Sequence, residues 1–196
     1  MSHRLGFWIA HFNILAVCGV LLGAFSVQFI EGELPCPLCM LQRMGMLLCA
    51  VGPAYIIRRA RYGDVEVRDF AMGYGMSIVA AVLGALISSR QILLHITPPD
   101  PGYGDPVFGL HLYTWALVVF LTVLVVSGLN LIFAHELTPR GVQPGWLSTL
   151  VVGLLEAIVV ANLATVFLEE GFHWMLPDDP ERYQLLDDLG LRRGEP

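Results

Sequence analysis

The amino-acid sequence predicts an all-α, polytopic membrane protein, a bundle of about five spanning helices. Of its 196 residues, 56% are apolar and only 14% are charged, and the mean hydropathy is +0.66. A soluble domain would carry about a quarter charged residues. The apolar runs are about 20 residues long, which matches a hydrocarbon core of about 30 Å at the rise of an α-helix. Membrane lipid is therefore the expected surrounding, and no nucleic-acid partner is expected.

Five spans and one transmembrane domain are predicted. The domain covers residues 1–170, and an acidic, polar tail at 171–196 is expected to be poorly ordered. The first apolar run is too long for a signal-peptide core, so we expect it to be retained. The spans lie at about residues 7–30, 37–57, 70–94, 112–134 and 146–168.

The arginines predict the orientation, because the chain contains no lysine. Four of them fall in the segment 58–69, whereas the segments 31–36 and 95–111 carry acidic residues and no arginine. The positive-inside rule puts 58–69 in the cytoplasm and the two acidic loops outside. The chain is thus expected in a bacterial inner membrane, with its N-terminus in the cytoplasm and the tail from Glu169 in the periplasm.

Two of the four cysteines form the motif Cys36-Pro-Leu-Cys39 at the start of the second span. A helix N-terminus favours thiolate over thiol. The spacing of three residues puts both sulfurs on one face, close enough for a disulfide. This pair, at the periplasmic face, is the predicted catalytic group. It can meet both a periplasmic protein and a lipid-soluble molecule.

Arg43 lies one helical turn beyond Cys39 on the same face. Its guanidinium could stabilise the Cys39 thiolate or an acceptor oxygen beside it. An arginine reaching to the nearby interface is the alternative. Since an ionisable group inside a span is costly, a functional role is preferred.

Other interpretations of the cysteines are weaker. A structural metal site needs four ligands, and no second Cys pair or matched His pair is present. A disulfide across three residues would restrain little chain entropy. Cys18 and Cys49 fall near mid-membrane and are expected to be inert packing residues.

The third span ends with Gln91 and His95, which share a helical face at the level of the Cys motif. His95 could donate to a reducible carbonyl or carry a proton, or it could simply cap the helix. Glu156 and Asn162, in the fifth span, are either an intramembrane site or hydrogen-bonding groups between helices.

The stretch Cys36-Pro-Leu-Cys39-Met-Leu-Gln-Arg43 resembles the signature of the bacterial disulfide-bond formation protein B (DsbB) family. The outer loop before the motif and the Arg-Gln-His region that ends the third span are similar as well. The resemblance extends over roughly residues 5–135 and implies a four-helix DsbB-like core, to which this chain adds a fifth helix.

The resemblance implies a quinone-linked thiol:disulfide oxidoreductase. Such a protein reoxidises a periplasmic DsbA-like thiol oxidoreductase and passes the electrons to ubiquinone or menaquinone. By matching position, Cys39 would face the quinone and Cys36 would exchange with the incoming thiol. Arg43 would hold the quinone, with Gln91 and His95 as neighbours.

The chain departs from the family in one respect: residues 95–112 contain no second cysteine pair. The partner thiol could attack the Cys36–Cys39 disulfide directly, an additional subunit could supply the relay, or the redox role could differ. One rival hypothesis is a non-catalytic membrane subunit that anchors a partner complex. A small-solute transporter using Glu156 and Asn162 is another, but no internal repeat supports it.

Overall fold

A computed structural model of the chain describes residues 2–173, 175 and 177–191. All its regular elements in that part of the chain are helices, apart from an isolated bridge between Val107 and Leu110. The helices are α1 (Ser2–Ser26), extended by a π-helical turn (Val27–Glu31), α2 (Pro37–Arg59), α3 (Val67–Leu94), α4 (Leu112–Ile132), α5 (Ala134–Leu137), α6 (Trp146–Glu170) and α7 (Gln184–Asp188).

Five of these helices are long and apolar enough to cross a membrane: α1 with its π-helical turn, α2, α3, α4 and α6. The predicted polytopic bundle is therefore confirmed. The first helix begins five residues earlier than predicted, at Ser2. At the end of the fifth span, α6 continues to Glu170 rather than ending at Leu168. Glu169, assigned from the sequence to the outer tail, is instead a buried residue of the bundle.

Helix α2 lies at the centre, since it contacts α1, α3, α4 and α6. Helix α6 packs on the α1 and α2 side of the bundle. The core that they share consists of aliphatic and aromatic side chains such as Ile14, Leu21, Ile56, Phe70 and Phe120. Each long helix buries one side against its neighbours. The leucines and valines on its other side face outward, as is typical of helices surrounded by lipid.

Helices α2 and α3 approach most closely where two glycines meet. The Ser77 hydroxyl donates to the Cys49 carbonyl at 2.7 Å beside this contact. A Cβ atom added to Gly52 would lie 2.0 Å from the backbone oxygen of Gly73. Small residues that allow such an approach are typical of helix pairs in membranes.

We expect Gly52→Ala to destabilise the protein by about 2 kcal/mol, because backbone atoms of α3 would have to move. Gly75→Ala is the matched control, since a Cβ there meets nothing within 4 Å. Thermal unfolding in detergent measures both variants. Equal stability of the two would contradict the close approach of α2 and α3.

The end of the bundle opposite the Cys motif carries the four arginines of the segment 58–69. Arg59 pairs with Asp69 at 3.2 Å. Asp64 accepts from the Gly141 backbone at 2.7 Å, and Arg61 donates to Thr149 at 2.7 Å. These contacts join the connection between α2 and α3 to the segment that enters α6.

The described residues of the tail, 171–173, 175 and 177–191, fold back onto the bundle, and the rest of the segment expected to be poorly ordered lies outside the described residues. Helix α7 packs against α6, and Leu185 is buried. Asp188 accepts from the Phe172 backbone at 3.1 Å and from the His173 ring at 3.1 Å. The tail therefore covers the end of α6 that lies nearest the cysteines.

Candidate active site

The two cysteines of the motif are free thiols at the first turn of α2, with their sulfurs 2.8 Å apart. Cys36 is the N-cap residue, and its sulfur accepts from the Cys39 backbone N–H at 3.2 Å. Pro37 occupies the first helical position, where its missing N–H costs nothing. The local sequence thus places one sulfur directly on the unsatisfied N–H groups of the helix.

Gln91, near the end of α3, lies beside the thiol pair. The sequence places Gln91 and the Cys motif at the same level of the bundle. Its side-chain amide N–H lies 3.1 Å from the Cys36 sulfur and 3.4 Å from the Cys39 sulfur. Its oxygen accepts from Gln42 at 2.7 Å. Because Gln42 donates to that oxygen, the N–H side of the Gln91 amide is held toward the sulfurs.

The two sulfurs differ in their environment. The hydrogen bond with the Cys39 side chain lowers the pKa of Cys36 to about 7, and the Cys39 backbone N–H and the Gln91 amide add to this effect, although burial opposes it. Cys36 is only 5% exposed, whereas Cys39 is partly exposed. We therefore assign the more acidic thiol of the pair to Cys36, at the helix cap.

A pH titration tests this assignment. The folded-state pKa of Cys36 lies below its ordinary value, so its thiolate should stabilise the reduced protein at high pH, and this contribution should be lost as the pH falls through 7. We expect the ultraviolet thiolate absorbance of the reduced protein to rise with a midpoint of about pH 7. Cys36→Ser should remove this rise and Cys49→Ser should not. A midpoint near that of an ordinary thiol would contradict the assignment.

Arg43 lies deeper along α2 and is buried. Its guanidinium donates to the Gln28 side-chain oxygen at 2.5 Å and to the Ala24 carbonyl at 3.1 Å. It also lies over the Phe25 ring, 5.4 Å from the centroid. In the described structure these partners belong to α1 and its π-helical turn, so Arg43 is held toward α1 rather than bonded to the Cys39 sulfur.

A cavity of about 630 Å³ lies between α1, α2 and α4 beside the thiol pair. Its walls are largely apolar, with Gly23 and Ala24 of α1 leaving room on one side. The polar side chains that α2 contributes to it are Cys39, Gln42 and Arg43. Cys36 does not line it. This size and composition are typical of a site for a small, mostly apolar molecule.

A second cavity of about 320 Å³ lies deeper, mainly between α1 and α4, and Cys49 and Pro53 of α2 also line it. It shares Val20, Trp115 and Val119 with the first, and its walls are again mainly apolar. The two cavities are therefore adjacent along the gap between the two helices. An elongated apolar molecule could occupy both.

The first and second loops of the Cys-motif end, which precede α2 and α4, are joined above the first cavity. The Tyr103 hydroxyl donates to the Leu34 carbonyl at 2.5 Å, and Glu33 accepts from the Asp105 backbone at 3.0 Å. Burial, followed by the charges of the two cysteines, raises the pKa of Tyr103, so its phenol remains a neutral donor. The second loop thus covers the motif even though it carries no cysteine.

His95 does not reach the sulfurs in this arrangement. Its ring bonds to Asp100 at 3.0 Å and stacks on Tyr113 with ring centroids 5.7 Å apart. The Gly102 backbone N–H and the His95 ring lower the pKa of Asp100. Since Tyr113 lines the first cavity and His95 does not, any influence of His95 on a bound molecule would pass through Tyr113.

The remaining candidates lie elsewhere. Cys18 and Cys49 are buried in the packed core, where the sequence placed them. Glu156 faces outward from α6, while the side chain of Asn162 is buried with no hydrogen-bond partner among the described residues. The two side chains do not form a common site.

Four site residues were not predicted from the sequence: Gln28, Gln42, Tyr103 and Glu169. Gln28 and Glu169 are buried and joined by a hydrogen bond of 3.0 Å, although 141 residues separate them. Gln28 lies within the first apolar run, and a polar residue at lipid depth is often functional. The sequence could therefore have indicated Gln28 as a site residue.

The fold and the site together define a polytopic helical membrane protein with a buried dithiol beside an apolar cavity. Residues 7–104, half of the chain, match the family model described as disulfide bond formation protein DsbB. The chain therefore belongs to the DsbB family.

Individual relatives agree with this assignment. Disulfide bond formation protein B of Chromobacterium violaceum is 36% identical over 101 residues, which cover 51% of this chain and 56% of the relative. That of Chromohalobacter salexigens is 32% identical over 44% of this chain and 49% of the relative. That of Xanthomonas axonopodis pv. citri is 32% identical over 59% of this chain and 67% of the relative. The chain thus spans about half the length of the first two, and no solved structure matches it.

Proposed function

We propose that this protein is a membrane thiol:disulfide oxidoreductase that passes electrons from a dithiol to ubiquinone or menaquinone through Cys36 and Cys39, in support of disulfide-bond formation. One observation carries the proposal: Cys39 and Arg43 face the same apolar cavity of about 630 Å³. A lipid-soluble acceptor in that cavity would lie beside both a redox-active sulfur and a fixed positive charge.

The electron balance is simple. An incoming dithiol reduces the Cys36–Cys39 disulfide by exchange and leaves as a disulfide. The reduced pair then returns to a disulfide, and its two electrons and two protons reduce the quinone to quinol. No further oxidant is needed.

The chain's own residues suit the quinone side of this reaction. Arg43, held by Gln28 and Ala24, can donate to a carbonyl oxygen and favour the charge that develops there. Gln91 donates toward both sulfurs and favours the thiolate form of the pair. The adjacent apolar cavity of about 320 Å³ offers room for an isoprenoid tail.

The donor side requires a movement of the outer loops. Cys36 is buried, and the segments that carry Leu34 and Tyr103 are joined beside it. A DsbA-like periplasmic partner could therefore reach the pair only after the second loop lifts. With no second cysteine pair in that loop, the partner would attack the Cys36–Cys39 disulfide directly, or an additional subunit would supply the relay.

The proposed location is the bacterial inner membrane, with the thiol pair at its periplasmic face. The arginine-rich end of the bundle would then lie in the cytoplasm, as the positive-inside rule requires.

The test is quinone reduction by the purified protein in detergent, with dithiothreitol as donor and short-chain ubiquinone or menaquinone as acceptor. We expect saturable consumption of at least one quinone. Reduction of the protein by dithiothreitol without consumption of any quinone would overturn the quinone half of the proposal. If the protein disulfide also fails to exchange, a non-catalytic membrane subunit becomes the better account.

A further inference from the structure

Glu169 is a carboxylate inside the bundle, in the last turn of α6. Its side chain is 1% exposed, and only one of its two oxygens has a hydrogen-bond partner among the described residues. Helix α6 lies outside residues 7–104, the segment that matches the family. A buried carboxylate at this depth is costly and requires a compensating partner.

The partner is reached through one side-chain amide. Gln28 accepts from Arg43 at 2.5 Å and donates its N–H to Glu169 at 3.0 Å. An arginine can only donate and a carboxylate can only accept. Only one orientation of the Gln28 amide gives each of them a hydrogen-bond partner, with the amide oxygen toward Arg43 and the N–H toward Glu169. The carboxylate therefore helps to determine which side of the amide faces Arg43.

The backbone supports this arrangement. Gln28 belongs to the π-helical turn that ends the first span, and within that turn it alone is buried. A π-helical turn redirects side chains and occurs frequently at functional sites. Tyr183, in the folded-back tail, accepts a further long contact of 3.5 Å from the same amide nitrogen.

We propose that Glu169, acting through Gln28, is a positioning residue that holds the Arg43 guanidinium in place at the first cavity. The inference rests on the proposed quinone reaction. The fifth helix and the tail would then be part of the electron-acceptor site. Without the carboxylate, the Gln28 amide would lose the acceptor that holds its N–H side and could rotate away, and Arg43 would lose its fixed direction.

Thermal unfolding tests the link without any quinone. Arg43→Leu and Glu169→Leu should each lower the unfolding temperature, because each leaves one buried charge uncompensated. The double variant should lose less than the sum of the two single losses. Additive losses would show that the two charges are independent and would overturn the inference.

Kinetics test the consequence for the reaction, with short-chain ubiquinone as the probe. Glu169→Gln should raise KM for ubiquinone about 10-fold, since the bond from Gln28 to a charged oxygen is replaced by a weaker bond to a neutral amide oxygen. The rate at which dithiothreitol reduces Cys36–Cys39 should stay unchanged, which also shows that the variant is folded. Glu170→Gln removes the same charge one residue away and should leave KM unchanged.

The background variant Gln28→Leu distinguishes positioning from a general electrostatic effect. In that background Glu169→Gln should have no further effect on KM, because the connecting amide is absent. The same rise in KM with and without Gln28, or no rise at all, overturns the inference. Wild-type turnover is measured first, so a failure of the proposed function is recognised separately.

Discussion

Replacing Cys39 with serine abolishes quinone reduction. We expect the turnover rate to fall by about 10³-fold or more, the size typical of the loss of a residue that forms the covalent intermediate. Serine cannot form the disulfide, and Cys39 is the cysteine of the motif that lines the first cavity. The measurement is the absorbance change of short-chain ubiquinone with dithiothreitol as donor.

Cys18→Ala is the matched control for this variant. Cys18 is a buried thiol of α1 that is 1% exposed and packs in the core. It lines neither of the two cavities. We expect nearly wild-type turnover from Cys18→Ala. Equal losses in the two variants would mean that the assay reports damage to the bundle rather than chemistry at the motif.

Replacing Arg43 with leucine separates the two halves of the reaction. We expect KM for ubiquinone to rise by about 10- to 100-fold, which corresponds to the loss of a hydrogen bond from a charged group. The reduction of the protein disulfide by dithiothreitol should change little, since Arg43 bonds to Gln28 and Ala24 and not to the sulfurs. Stopped-flow measurement of each half-reaction gives the two rates.

Two further variants show whether the guanidinium itself is needed. Arg43→Lys keeps the charge but loses the planar fork, so an intermediate KM is expected. Arg90→Leu removes an exposed arginine near the same end of the bundle and should leave KM unchanged. Slower dithiol exchange in Arg43→Leu, with no change in KM, would place Arg43 on the donor side instead.

The sequence alone determined the number of long, membrane-spanning helices, their apolar character and the placement of the thiol motif at a helix start. These are local properties, because hydropathy over about 20 residues and an N-terminal proline act on the chain where they occur. The proximity of Gln91 to the cysteines followed from the same reasoning, since two adjacent spans ending at one membrane surface bring their ends to one height. The family resemblance came chiefly from the eight consecutive residues 36–43, with support from the loop before them and the Arg-Gln-His region that ends the third span.

Only the tertiary structure decided how Arg43 is held and what surrounds Cys39. The contacts of Gln28 with Arg43 and Glu169 join residues 15 and 141 positions apart. Hydropathy carries no information about which polar side chains meet inside a bundle. Similarly, the hydrogen bonds that Cys36 receives at the start of α2, first of all from the Cys39 side chain, lower the pKa of Cys36. The packing of α1 and α4 against α2 leaves a cavity that Cys39 lines. Spacing along one helix cannot separate these two roles, because the cavity is formed by the neighbouring helices.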